Sequence, residues 1–247
     1  MNKVARIIWT ITGVSLVVML LAGAIMWGYM SRPSQQPCRA LVYIYSDGDE
    51  RKYLTDEELN ALLRAEDIYP VGRQTNRVSL QRIEDAVRRH PMVRTAECYL
   101  TPRHEMRVVI SQRVPLLRVA VPGDNYFIDT DHRLMPVRTA VKDTVLLVTG
   151  AIGQQTAATQ LADFAEWLQD NSYWRSRVYR VHMQTPTTAV LWLRGENQPH
   201  VLLGSLIGSE RKLAKLRTFM EHSTEAMAGK QYRALDVRFR GQVIGRP

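Results

Sequence analysis

From Ile7 to Met30 the chain runs for 24 residues, IIWTITGVSLVVMLLAGAIMWGYM, without one charged side chain. At about 1.5 Å per residue, a helix of that length reaches about 36 Å and crosses a hydrocarbon core of about 30 Å with some tilt. Buried helices of soluble domains rarely run so far without a charge, so residues 7–30 are expected to form a single transmembrane helix behind a short tail, residues 1–6. A cleaved signal peptide is the competing reading, because Lys3 and Arg6 resemble its basic start and Ala22-Gly23-Ala24 its cleavage site. Ile25, Met26, Trp27 and Tyr29 carry the apolar run past that site, and the two aromatic residues suit a membrane interface. Lys3 and Arg6 tip the positive-inside balance toward a cytoplasmic N-terminus, which places residues 31–247 outside the cytoplasm.

About 217 residues follow the apolar run, enough for two modest domains. The formal net charge of +9 is carried mostly by arginine, 27 residues against 6 lysines. These arginines are scattered, with no basic helix and no interleaved aromatic patch, so they read as a solvated surface and argue against a nucleic-acid partner. Cys38 and Cys98 suffice for one disulfide in an oxidising compartment. Cys98 alternates with Ala96 and Leu100 on the inward side of a strand-like run, which favours a small buried hydrophobe instead.

After a polar, proline-bounded linker, residues 31–38, the pattern over residues 39–114 spells strand, helix, helix, strand, strand. Arg39 to Ser46 is rich in β-formers. Thr55 and Glu58 have the spacing of a capping box, with Leu54 and Leu59 in hydrophobic-staple positions and Leu59, Leu62 and Leu63 on one face. A second helix opens at Ser79, carries Leu80, Ile83 and Val87, and stops at His90-Pro91. Val93 to Leu100 and Met106 to Val114 read as strands.

Residues 115–247 begin with three strand-like runs, LLRVAV, NYFID and RLMPV. Asp129, Asp131 and His132 bring carboxylate and imidazole close together, as metal ligands require. Between alternating apolar runs, however, Asp reads as a turn residue, so a β-hairpin is expected here and no metal or cofactor. A strand at Val145 to Gly150, a helix through Leu161, Phe164, Ala165 and Leu168, and strands at Arg177 to Met183, Thr188 to Leu193 and His200 to Leu203 follow, with Trp192 expected in the core. A helix lies within Leu206 to Met227. A last strand is expected at Arg233 to Arg240, with Leu235, Val237 and Phe239 on one side and Ala234, Asp236, Arg238 and Arg240 on the other. The fold class is α+β.

Enzyme signatures are not met. His104-Glu105 lacks the second histidine of H-E-x-x-H, and Gly204-Ser205-Leu206-Ile207-Gly208 does not have the order of a nucleophile elbow. The TGAIGQ stretch has no phosphate-loop lysine, and the six histidines are dispersed. A triad assembled from distant segments stays open. No enzymatic activity and no small-molecule substrate is expected.

LTDEEL, HPMV followed by a strand, QRVP, NYFIDTDHRLMP and the closing YRALDVRF occur in that order. Together they resemble the FtsQ/DivIB family of bacterial cell-division proteins, and the layout around them is similar throughout. The resemblance implies one inner-membrane anchor, a βααββ POTRA domain over residues 39–114, and a mixed β-sheet domain with flanking helices over residues 115–247, both periplasmic and at the division septum. It implies a non-enzymatic divisome scaffold that links early and late division proteins and helps control septal peptidoglycan synthesis. The POTRA domain would engage other divisome components, and the last strand would bind an FtsB/FtsL-like complex by strand addition. The family's D-L-R-Y/F falls on Asp236-Val237-Arg238-Phe239, so these residues, with Gly245 behind them, are the expected partner contacts. Phe239 would be an aromatic anchor and Arg238 a donor to an acidic partner. Neighbours on a strand point to opposite faces, so the two share a pocket only if the strand twists or bulges. The sequence departs from the family at His132, where a glycine is usual, and at Arg246-Pro247, where some relatives have an aromatic residue. A POTRA-bearing secretion or envelope-assembly component is the alternative, although no barrel-like series of strands follows. A membrane-anchored hydrolase is the third reading.

Overall fold

The computed structural model describes residues 15–27, 36–46, 53–138, 141, 145–222 and 232–247. Residues 15–27 form a helix, α1, whose side chains are exposed. The expected tail, the two ends of the apolar run and most of the linker lie outside the described residues. Among the described residues no helix is long and apolar enough to cross a membrane.

Thr55 starts α2 (Asp56–Ala65) with a reciprocal capping box: its hydroxyl accepts from the Glu58 N–H, and the Glu58 carboxylate accepts from the Thr55 N–H. Ser79 does the first half of this for α3 (Leu80–Arg88), accepting from the Arg82 N–H. Both caps satisfy N–H groups that a helix start leaves without partners. The helices pack on a three-stranded sheet of β1 (Ala40–Tyr45), β2 (Val93–Leu100) and β3 (Glu105–Gln112) in the order β1-β3-β2. β1 runs parallel to β3, and β2 antiparallel to it. Leu59 and Leu63 of α2 and Ile83, Ala86 and Val87 of α3 meet Ala96, Cys98, Met106, Val108 and Ile110 in one buried cluster. The βααββ order read from the sequence is the one that forms. Cys38 and Cys98 are both free and buried. Burial, reinforced by the nearby Glu84 carboxylate, pushes the Cys98 thiol up to about 12, so it packs as an inert small hydrophobe.

Val114 leads directly into a nine-stranded sheet ordered β12-β11-β10-β9-β8-β7-β4-β5-β6. Its strands are β4 (Pro115–Val121), β5 (Asp124–Asp129), β6 (Leu134–Pro136), β7 (Leu146–Gly150), β8 (Val178–Thr185), β9 (Thr188–Leu193), β10 (His200–Gly204), β11 (Ala234–Asp236) and β12 (Ile244–Arg246). Parallel neighbours need a crossover connection, and helices supply it twice. Between β7 and β8, α4 (Gln154–Thr156) passes through a π-turn at Ala157–Leu161 into α5 (Ala162–Asp170), followed by the short α6 (Ser172–Arg175). Between β10 and β11 the chain makes α7 (Ser209–His222). Leu161, Phe164, Ala165, Leu168, Trp174, Leu213 and Leu216 from these helices cover Val148, Val181, Met183, Leu191, Val201, Leu203 and Leu235.

Trp192 is not in that core. Leu191 and Leu193 take the helix-covered face, so strand alternation turns Trp192 to the opposite one. There it is half-buried, edge-on to His182 of β8 at 5.9 Å and stacked on His200 of β10 at 5.8 Å. The expected strand from Arg233 to Arg240 is shorter as well. The Asp236 carboxylate accepts from the Arg238 N–H two residues on, a turn that competes with the ladder and ends β11 at Asp236. Phe239 is consequently 45% exposed instead of facing inward.

The two sheets share a seam. Phe127 of β5 and Met135 of β6 belong to the buried cluster of the three-stranded unit. Asp129 closes the β5–β6 turn by accepting from the N–H groups of Asp131 and Arg133 at 2.9 and 2.7 Å, and it pairs with Arg113 at 2.6 Å. The side chains of that pair are 1% and 11% exposed. Arg94–Asp131 at 2.7 Å and Arg138–Glu58 at 2.5 Å span the seam nearer the surface. Removing one partner of a buried pair leaves the other charge uncompensated. Asp129→Ala is therefore expected to destabilise the protein by about 3–5 kcal/mol, read as a lower urea midpoint at unchanged slope, whereas Asp131→Ala should change stability by less than about 1 kcal/mol.

Candidate partner-binding edge

The region where the sequence places its partner contacts is the end of the nine-stranded sheet. β11 pairs in parallel with β10, matching Leu235 to Val201, and antiparallel with β12, matching Leu235 to Gly245. β12 is the last strand of the sheet on this side, and among the described residues its outer side pairs with no strand. The opposite edge, β6, is three residues long and contains Pro136, which has no N–H to offer. β12 contains no proline and keeps a backbone N–H at each of its residues.

Asp236 holds this edge together. Its carboxylate is fully buried and accepts from Arg238 Nε at 2.8 Å, Arg238 Nη2 at 2.6 Å and Arg246 Nη2 at 2.7 Å, besides the Arg238 N–H. Arg238 comes from the turn after β11 and Arg246 from β12, so one carboxylate ties strand, turn and edge. The Arg238 guanidinium beside it, followed by that of Arg246, lowers the Asp236 carboxyl to about 2 against the opposing effect of burial. Gly204 lets Arg238 lie flat, since a Cβ there would come within 3.0 Å of the Arg238 Cγ. Gly245 serves Tyr232 in the same way: an added Cβ would meet the ring at 2.4 Å.

The turn from Val237 to Gly241 is pinned from the other side by α7. Lys215 Nζ donates to the Val237 carbonyl at 3.1 Å and to the Phe239 carbonyl. Between helix and turn lies an open cleft of about 550 Å³ lined by Ile207, Arg211, Lys212, Lys215, Arg238 and Phe239. Ile207 and Phe239 are exposed apolar groups, and five cations, Arg240 included, stand around them. Burial lowers the Lys212 and Lys215 amines, and for Lys212 the neighbouring Lys215 adds to it. A surface that crowds cations beside exposed apolar groups suits an acidic segment with an apolar anchor.

Of the five residues singled out by sequence, then, Asp236 and Val237 are buried, Gly245 is half-buried under Tyr232, Arg238 is divided between Asp236 and solvent, and Phe239 is exposed. Sequence reading missed β12 itself, Lys215 and Ile207. The pair Val243-Ile244 after Gly241 was the available signal for a further strand.

A family model for the FtsQ/DivIB C-terminal related domain matches residues 114–246, and one for a POTRA-like domain matches residues 36–111. The chain belongs to the FtsQ/DivIB family. No curated protein matches it. As an FtsQ/DivIB member it is a POTRA-domain protein of cell division, in a family that is generally non-enzymatic and works through other division proteins. The three-stranded unit with α2 and α3 falls in the POTRA-like match, and the nine-stranded sheet with its edge β12 falls in the other.

The Asp236 clamp carries a pH signature. A carboxyl whose pKa falls from 3.8 unfolded to about 2 folded contributes stability that is complete above the unfolded value and lost as pH drops through the folded one. That difference corresponds to about 2 kcal/mol at neutral pH. Asp236→Asn should therefore be less stable by about that amount at pH 7, and the gap from the parent protein should close between pH 4 and 2 in urea unfolding.

Proposed function

We propose that this FtsQ/DivIB member is a non-enzymatic scaffold of the divisome that captures an FtsB/FtsL-like complex by strand addition at β12. In this reading it links early and late division proteins and helps control septal peptidoglycan synthesis. Its plan is a cytoplasmic tail, residues 1–6, an inner-membrane helix, residues 7–30, a linker, residues 31–38, then the POTRA domain, 39–114, and the β domain, 115–247, in the periplasm at the septum. The POTRA domain engages further divisome components. Nucleic acid and small-molecule substrates have no part in it.

The observation that carries the proposal is the outer side of β12, which ends a nine-stranded sheet without a neighbouring strand among the described residues. Backbone pairing along such an edge supplies affinity, and side chains beside it select the partner. Phe239, exposed next to the edge, is the aromatic anchor, and the cations of the adjoining cleft receive acidic side chains. Arg238 donates what Asp236 leaves free. Asp236, Val237 and Gly245 contribute by holding the edge in its pairing geometry, which lowers the ordering cost of binding.

Deleting residues 243–247 should abolish co-purification of the FtsB/FtsL-like partner while the remaining sheet still unfolds cooperatively, and Phe239→Ala should weaken capture by about 1–3 kcal/mol. Undiminished capture by both variants would refute strand addition at this edge. Depletion of the protein should produce filamentous cells, and an N-terminal fluorescent fusion should collect at midcell; uniform envelope localisation would point to the envelope-assembly reading.

A further inference from the structure

The β5–β6 turn spends most of its charge inside the fold. Asp129 serves Arg113 and two turn N–H groups, and Asp131 serves Arg94. His132 is left over. It occupies a left-handed backbone position, φ 59°, which a residue with a Cβ adopts less readily than glycine. From there its ring reaches α5, with Nε2 at 3.1 Å from Glu166 Oε1 and Nδ1 at 3.8 Å from Asp163 Oδ1.

Asp163 and Glu166 stand three residues apart on one face of α5, where like charges repel. The chain has 33 Lys and Arg residues, yet among the described residues neither carboxylate forms an ion pair with one of them. One ligand atom from each of the three side chains lies within 4.8 Å of the other two. Ligands about 2.1 Å from a common ion stand roughly 3.4 Å apart in a tetrahedral arrangement, so a small rotamer adjustment closes the set. All three side chains reach solvent, leaving at least one coordination position for water.

We propose that His132, Asp163 and Glu166 form a site for a divalent transition-metal ion of the zinc class. The imidazole selects against calcium and magnesium, which prefer all-oxygen shells, and the absence of thiolate from the ligand set makes the ion exchangeable. Bound there, the ion joins the β5–β6 turn to α5. Because the same turn pairs with Arg113 and Arg94, it also braces the seam between the sheets.

The test uses the full chain in detergent, stripped with a chelator and titrated with zinc chloride by calorimetry. One ion per chain, bound on the order of micromolar, is expected, together with a higher unfolding temperature. His132→Gly, which keeps the left-handed turn, and Glu166→Gln should each weaken binding at least about tenfold, and Asp163→Asn should weaken it less. His222→Ala, on α7, should leave it unchanged. Absence of saturable binding in the parent protein would mean an imidazole–carboxylate ion pair only and would overturn the proposal. So would undiminished binding in folded His132→Gly.

Discussion

A carboxylate taken out of water costs several kcal/mol unless its charge is paired and its lone pairs are filled. The nine-stranded sheet accepts that cost twice, at Asp129 on β5 and at Asp236 on β11, each on the strand next to an edge. In both places arginine is the counterion, and in both the carboxylate also accepts a backbone N–H from the turn that follows. The planar guanidinium fork suits this, since it offers paired N–H groups to a carboxylate while remaining charged at any relevant pH. The arginine-rich composition, which as a bulk property says only that the surface is basic, therefore has two specific structural uses.

The consequence is a sheet whose ends are committed differently. Asp129 fixes the β5–β6 hairpin so that Phe127 and Met135 enter the core of the POTRA-like unit, and the seam then carries three cross-pairs of decreasing burial. Separating the two units would expose Phe127 and Met135 and uncover the buried Arg113–Asp129 pair. At the far end Asp236 fixes β12 to β11, and among the described residues the outer side of β12 has no neighbouring strand. One edge of the sheet thus lies at the seam with the POTRA-like unit and the other at the far end of the sheet.

Much of this was legible in the sequence wherever the cause is local. The two helix starts follow from Thr55, Glu58 and Ser79, and the βααββ order from runs of β-formers, helical spacing of apolar residues and the stop at His90-Pro91. What escaped depends on partners far along the chain. Trp192 reads as core by size, yet its place is decided by Leu191 and Leu193 facing the helices. β12 is three residues with a glycine at its centre, too short to show a period, and it exists because Tyr232 packs over Gly245 and Arg246 reaches Asp236. His132 meets Asp163 and Glu166 only because α5 crosses over the sheet, a juxtaposition that no spacing in the sequence announces.

Residues 236–239 illustrate how a local rule can be right while its premise is wrong. On a strand, Arg238 and Phe239 would face opposite ways, and only one could meet a partner. The Asp236 turn removes the strand, so alternation no longer applies, and the Arg238 guanidinium lies 5.9 Å from the Phe239 ring centre. The arginine is then half counterion and half surface. Asp236 carries one negative charge against Arg238 and Arg246, so the cluster keeps a net positive charge, with Arg211, Lys212 and Lys215 beside it. In the proposed complex the buried carboxylate thus sets the position of the edge without cancelling its attraction for an acidic strand. Pairing geometry and charge selection are separable there, since one is fixed by Asp236 and the other by the cations it leaves uncompensated.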